Sequence, residues 1–145
     1  MAAPHKVLVI DDNPESRFLL TRTLVRKFPL SVVLECADAG TAVLTTRRET
    51  LDVIILHRTA DVPGVELIEM LRAVTRAVPI IMVSGIDRAT EAAAAGANFF
   101  LSYDEWLRIG TVVAELLSLP PPADGSDTAP AFGPDKATAS RARYP

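Results

Sequence analysis

The chain has 145 residues, 18 acidic against 15 basic, a formal net charge of −3 and a sequence pI of about 5.3. That length fits one domain, able to bury roughly two thirds of its unfolded surface without a covalent staple. The lone cysteine, Cys36, excludes an intramolecular disulfide and any multi-cysteine zinc site, the acidic balance argues against a nucleic-acid partner, and no apolar run approaches the roughly 18–20 residues of a membrane helix.

The N-terminal "MAAPHKVLVIDD" has no signal-peptide core, since its apolar run is short and ends in acid. A soluble, cytoplasmic protein is expected. Residues 6–10 (KVLVI) then read as a first strand. "NPESRFLLTRTLVRKF" reads as a helix, with Asn13 as N-cap, Pro14 at the first helical position, and Leu20, Leu24 and Phe28 along one face. Residues 32–36 (VVLEC) form a second strand, in which Cys36 is expected to be a small buried hydrophobe. "AGTAVLTTRRE" is a second helix and residues 53–56 (VIIL) a third strand. "GVELIEMLRAVTRA" is a third helix with Leu67, Leu71 and Val74 on one face. Residues 80–83 (IIMV) are a fourth strand, "DRATEAAAAGA" a short fourth helix and residues 99–101 (FFL) a fifth strand. "DEWLRIGTVVAELLSL" is the last helix, anchored by Leu107, Val113, Leu116 and Leu117. Trp106 reads as a packing anchor, and Arg47, Arg48, Arg72 and Arg76 as solvated helix faces. Pro120, Pro121 and Pro122 end that helix. Residues 120–145 are too poor in apolar side chains to offset their ordering entropy and are expected to be a disordered tail.

The apolar runs are Val-, Ile- and Phe-rich and, apart from residues 32–36, lack strict alternation. That is the pattern of strands covered on both faces. Strand–helix repeated five times predicts a doubly wound parallel α/β sheet over residues 1–119. In such folds the functional crevice lies at the carboxyl ends of the strands. The residues there are Asp11 and Asp12, His57, Ser84 with Gly85, and Ser102, Tyr103 and Asp104. None is a glycine-rich phosphate cradle, so nucleotide binding by that route is disfavoured. An adjacent carboxylate pair suits a hard cation such as Mg²⁺. The plainer reading makes Asp12 or Asn13 a helix cap and Asp11 a solvated loop residue. Ser84 has a plain reading too, as a bond to a strand-end backbone group, and Phe100 as packing.

The stretches "KVLVIDDNPESRFLL", "LDVIILH…PGVELIEMLR", "VPIIMVSG" and "AAAAGANFFLS" together resemble the receiver domain of two-component response regulators, over residues 5–119. The resemblance implies a flavodoxin-like five-stranded fold. It implies an acidic pair that holds Mg²⁺, an aspartate ending the third strand that accepts a phosphoryl group from a histidine kinase, a hydroxyl residue and a lysine that bind this group, and a switch aromatic in the fifth strand. Carried over, Asp11 and Asp12 match the acidic pair, Ser84 the hydroxyl and Phe100 the switch aromatic. His57 stands at the acceptor position, Tyr103 at the lysine position and Asp104 where a proline usually follows. The loop before Gly64 is one residue short, and the segment between Ser84 and Phe100 is abbreviated, which predicts a short or distorted fourth helix.

An acyl phosphate needs a carboxylate nucleophile and a cation to screen the incoming charge. His57 removes that nucleophile and one metal ligand; Tyr103 removes the phosphoryl-binding cation. A protonated imidazole about 4 Å from a carboxylate gains on the order of 4 kcal/mol at an effective dielectric near 20, before desolvation. His57 is therefore expected to stand in for the metal as counter-charge to Asp11 and Asp12, a pair open to pH switching. The alternatives are a phosphoryl group on His57 itself, a transition metal held by His57, Asp11 and Asp12 with His5 as a distant helper, a tolerated neutral residue, and Asp61 as a displaced phosphoacceptor. The expected function is signal transduction as a non-enzymatic pseudo-receiver, with no cofactor and Mg²⁺ weakened. Partners are expected to be a histidine kinase, another signalling protein or a second copy. They would meet the surface of the fourth helix, fifth strand and last helix, including Phe99, Tyr103, Asp104, Glu105 and Trp106. With no output domain following, output would pass through that contact. A small-ligand module reusing the crevice is the remaining alternative.

Overall fold

The computed structural model describes residues 5–117. The expected tail, 120–145, and the boundary at 119 lie outside the described residues. Five strands, β1 (Lys6–Asp11), β2 (Val32–Cys36), β3 (Val53–Arg58), β4 (Ile80–Ser84) and β5 (Phe99–Ser102), alternate with α1 (Pro14–Lys27), α2 (Ala39–Arg48), α3 (Gly64–Arg72), α4 (Ala89–Ala95) and α5 (Ile109–Leu117). The strands pair in parallel in the order β2-β1-β3-β4-β5. The doubly wound parallel sheet expected from the apolar runs is the one formed, with the five strands of the flavodoxin-like fold that the resemblance implies.

Period-two alternation sends successive side chains to opposite faces. Leu8, Ile10, Ile54, Leu56, Ile80, Met82 and Phe100 face one core with Ala39, Ala42, Leu67, Ile68, Leu71, Ala89 and Ala92. Val7, Val9, Val53, Ile55, Ile81, Val83, Phe99 and Leu101 face the other with Leu20, Leu24, Ile109, Val112 and Val113. Thus α2, α3 and α4 cover one face and α1 and α5 the other. The order reverses beside β1, so the crevice opens between β1 and β3 at their carboxyl ends. Asn13 caps α1 as expected: its side chain accepts from the backbone N–H groups of Glu15 and Ser16 at 2.8 and 3.4 Å. Cys36 is buried, and burial pushes its thiol up, which keeps it inert.

Several expectations are corrected. The third helix stops at Arg72, and Val74 lies in the following turn. Arg72 is no solvated residue. It donates to the carbonyls of Gly96, Thr75 and Val78 and to Asn98 Oδ1, at 2.7–3.2 Å, tying the end of α3 to the entries of β4 and β5. Asp104 does not begin a long helix. Tyr103–Arg108 form a 3₁₀ segment broken at Glu105 (φ −106°, ψ 24°), and α5 starts at Ile109. The break turns Leu107 outward, 58% exposed, so it anchors nothing, while Trp106 packs on the core. The fourth helix is short, at 7 residues.

Candidate functional site

Asp11 ends β1 and His57 lies near the end of β3. The strand does not open into a loop at His57, as the sequence suggests, but runs on through Arg58. The β1–β3 register slips there. Ile10 faces Leu56 while Asp11 faces Arg58, so His57 is the additional residue of a bulge. A bulge bends its strand and re-aims a side chain; here the imidazole meets Asp11, with Nδ1 2.8 Å from Oδ2.

Asp11 is not a solvated loop residue; it is fully buried. Besides His57, its Oδ2 accepts from the Ser16 hydroxyl, and its Oδ1 accepts from the Asn13 N–H at 2.9 Å. Burial by itself would push the carboxyl up. The bonds from His57, Ser16 and the Asn13 backbone, with the electrostatic attraction of His57, outweigh burial and hold it below its ordinary value. An ionised carboxylate only accepts, so His57 donates through Nδ1–H and its Nε2 is the nitrogen left for the crevice. No described residue bonds Nε2.

Tyr103 begins the 3₁₀ segment after β5 and lies flat against His57, ring centroids 4.8 Å apart and planes 10° from parallel. Tyr103 thus presents its ring plane to the imidazole. Asp12 does not share His57. Its Oδ1 accepts from Arg58 Nε at 3.2 Å, so the expected His57 pairing with both carboxylates holds for Asp11 alone. The Ser84 hydroxyl accepts from Ile86 N–H at 3.0 Å, the plain bond foreseen for it. Phe100 is buried against the α3–α4 face. Asp61 does not line the crevice. Both its oxygens lie 3.3 Å from Ala39 N at the start of α2, where a carboxylate satisfies an orphan donor. His5 stands 3.8 Å from Asp52 at the opposite end of the sheet and helps no site here. Phe99 is fully buried and drops out of the expected partner surface, whereas Asp104 and Glu105 are exposed.

These elements enclose a cavity of about 450 Å³, lined among others by Asn13, His57, Arg58, Ser84, Arg88 and Tyr103. Arg58 and Arg88 were not singled out from the sequence. Among the described residues no carboxylate lines the cavity: Asp11 is fully buried and Asp12 is turned to Arg58. Mg²⁺ demands near-octahedral oxygen ligands. Both oxygens of Asp11 are already engaged, and no group of three or more His, Cys, Asp or Glu suited to a metal exists among the described residues.

Residues 7–104 match the response regulator receiver domain. Two curated relatives are protein-glutamate methylesterase/protein-glutamine glutaminases. The one from Azospirillum brasilense is 38% identical over 104 residues, 68% of this chain and 26% of the relative. The one from Rhizobium etli is 35% identical over 85 residues, 58% of this chain and 24% of the relative. The chain thus spans about a quarter of the length of the curated relatives it matches. Among solved structures, the signal receiver domain of NarL from Mycobacterium tuberculosis superposes with a TM-score of 0.73 at 24% identity, covering 81% of this chain and 98% of that one.

Proposed function

The chain belongs to the response regulator receiver domain family, and from that premise we propose that it is a pseudo-receiver in two-component signalling. In this reading an internal ion pair takes the place of the metal-assisted aspartyl phosphate. The observation that carries the proposal is the 2.8 Å contact between His57 and the buried carboxylate of Asp11. The resemblance puts the acceptor aspartate where His57 stands, so the group that would be phosphorylated is instead the counter-charge of its neighbour. The donor set does not fit Mg²⁺, because filling the site with a cation would break bonds that Asp11 already makes to Ser16, Asn13 and His57.

The domain acts by protein contact and needs no catalytic step of its own. Its partner is a signalling protein, a histidine kinase or a second copy of the chain, met in the cytoplasm through the α4–β5–α5 side. Asp104 and Glu105 are exposed there, and half-buried Trp106 supplies apolar surface. A displaced acceptor at Asp61 is not favoured, since its carboxylate caps α2 rather than facing the crevice.

Intact-mass spectrometry after incubation with acetyl phosphate, with and without Mg²⁺, tests this reading. No phosphoryl adduct is expected while an ordinary receiver in the same tube is labelled. A Mg²⁺-dependent adduct would overturn it.

A further inference from the structure

The charged side chains that line the crevice are basic. A receiver pocket that holds a cation needs carboxylates on its walls, whereas here the polar lining side chains are two guanidiniums, an imidazole, the Asn13 amide and hydroxyls. Arg58 spends its Nε on Asp12, and its terminal nitrogens make no hydrogen bond among the described residues. Arg88 makes no ion pair among the described residues. Ser84 already accepts from Ile86 N–H; its own O–H remains to donate. These groups are hydrogen-bond donors around one space, and two of them are permanently charged. Guanidiniums of this kind match the two oxygens of a carboxylate or phosphate.

The size and the remaining walls narrow the occupant. A cavity of about 450 Å³ falls within the roughly 300–1,000 Å³ of small-molecule sites and is too large for a bare ion. Its other walls are apolar or aromatic: Met82, Ile86 and the Tyr103 ring, backed by the stacked His57. Ile86 is 63% exposed despite being apolar. Gly85 leaves the mouth open, for a side-chain carbon added there would meet nothing within 4 Å.

We propose that this crevice binds a small organic anion. Its carboxylate or phosphate ester would sit between Arg58, Arg88 and the Ser84 hydroxyl, and its apolar body against Tyr103, Met82 and Ile86. The inference rests on the pseudo-receiver reading, because a crevice kept for Mg²⁺ and a phosphoryl group has no room for a resident ligand. The site gives the domain an input that does not depend on a kinase: an anion seated at the carboxyl ends of β3 and β4 touches the loop that leads into α4.

Amide chemical shifts of the isotope-labelled full chain report on binding. The probes are phenyl phosphate, phenylacetate, inorganic phosphate and uncharged 2-phenylethanol, with MgCl₂ titrated separately. Saturable shifts centred on His57, Ser84, Gly85 and Tyr103 are expected with phenyl phosphate, phenylacetate or both, and which one responds assigns the anionic group. Arg88→Gln, an exposed position whose loss should not disturb folding, is expected to weaken binding at least tenfold. No saturable shift with either aromatic anion overturns the proposal. So does binding of 2-phenylethanol as tight as that of the anions, inorganic phosphate binding as tightly as phenyl phosphate, or an unaltered affinity in Arg88→Gln. The Mg²⁺ arm answers the other question by itself: saturable shifts at Asp11 and Asp12 would overturn the metal-free reading whatever the anions do.

Discussion

Asp11 loses all contact with solvent on folding and keeps its charge because three donors converge on it. Its carboxyl is held below the ordinary value of 3.8. A depressed carboxyl stabilises the fold fully above that ordinary value, and the contribution disappears as pH falls through the lower folded value. His57→Ala removes one donor and leaves the carboxylate buried with the rest. The expected cost at pH 7 is about 1–3 kcal/mol, and the gap from wild type should narrow below pH 4. Urea denaturation of both proteins at pH 7 and pH 3 checks this; a gap that is equal at the two pH values would show that Asp11 is not the partner that matters. At this scale the sequence was legible in part. The proximity of His57 to an acidic residue could be read from strand ends, and the Asn13 cap from the Asn-Pro pair. Which of Asp11 and Asp12 meets the imidazole could not, because the choice depends on a one-residue bulge that no hydrophobic pattern records. Ser16 was missed as a partner of Asp11, although a serine three residues after the cap of α1 was a usable signal. Arg58 and Arg88 were missed because a basic side chain beside a strand end looks like any solvated charge until the cavity is formed.

Among the elements, the apolar runs located all five strands, and each but β2 extends one or two residues further at its carboxyl end. The extra residues are Asp11, His57 with Arg58, Ser84 and Ser102. Hydrophobicity reports burial, whereas a strand ends where its ladder of backbone bonds ends, and at a functional crevice the two differ by design of the chemistry there. Helix lengths were less legible. Periodicity carried α3 past Arg72 because Val74 falls on the right face, yet the chain turns after Arg72, whose side chain bonds the carbonyls of Thr75 and Val78 in that turn and the Gly96 carbonyl across from it. The same clamp packs against Gly96. Gly96 ends α4 at φ 119°, and an added side-chain carbon would lie 2.7 Å from Arg72 Cγ. Gly96→Ala is expected to cost about 1–3 kcal/mol through both backbone strain and displacement of the clamp. Gly85→Ala, which meets open space, should stay within about 0.5 kcal/mol of wild type. Thermal or urea midpoints of the two variants distinguish them, and equal effects would contradict the account of the α4–β5 turn.

For the molecule as a whole, the parallel sheet and its two helical layers place the crevice at the carboxyl ends of the strands, and the proposed function concerns the chemistry inside it. The fold was legible because strand and helix periods alternate cleanly along residues 6–117. The function was legible only as far as the residue types at the strand ends allow: a fold supplies the location of a site but not what the site does. In the proposed pseudo-receiver, His57 occupies the electrostatic place of the metal. The direct test is the thermal midpoint of the wild type and of His57→Asp, each with and without millimolar Mg²⁺. Without metal, the substitution sets a second carboxylate against buried Asp11, and like charges at that distance destabilise. A ligand that binds only the folded state then raises stability by mass action, about 2.7 kcal/mol at a hundredfold excess over its dissociation constant. The prediction is a lowered midpoint for His57→Asp that Mg²⁺ restores, and a wild-type midpoint that Mg²⁺ leaves unchanged. A wild-type midpoint that rises with Mg²⁺ as far as the variant's does would contradict the claim.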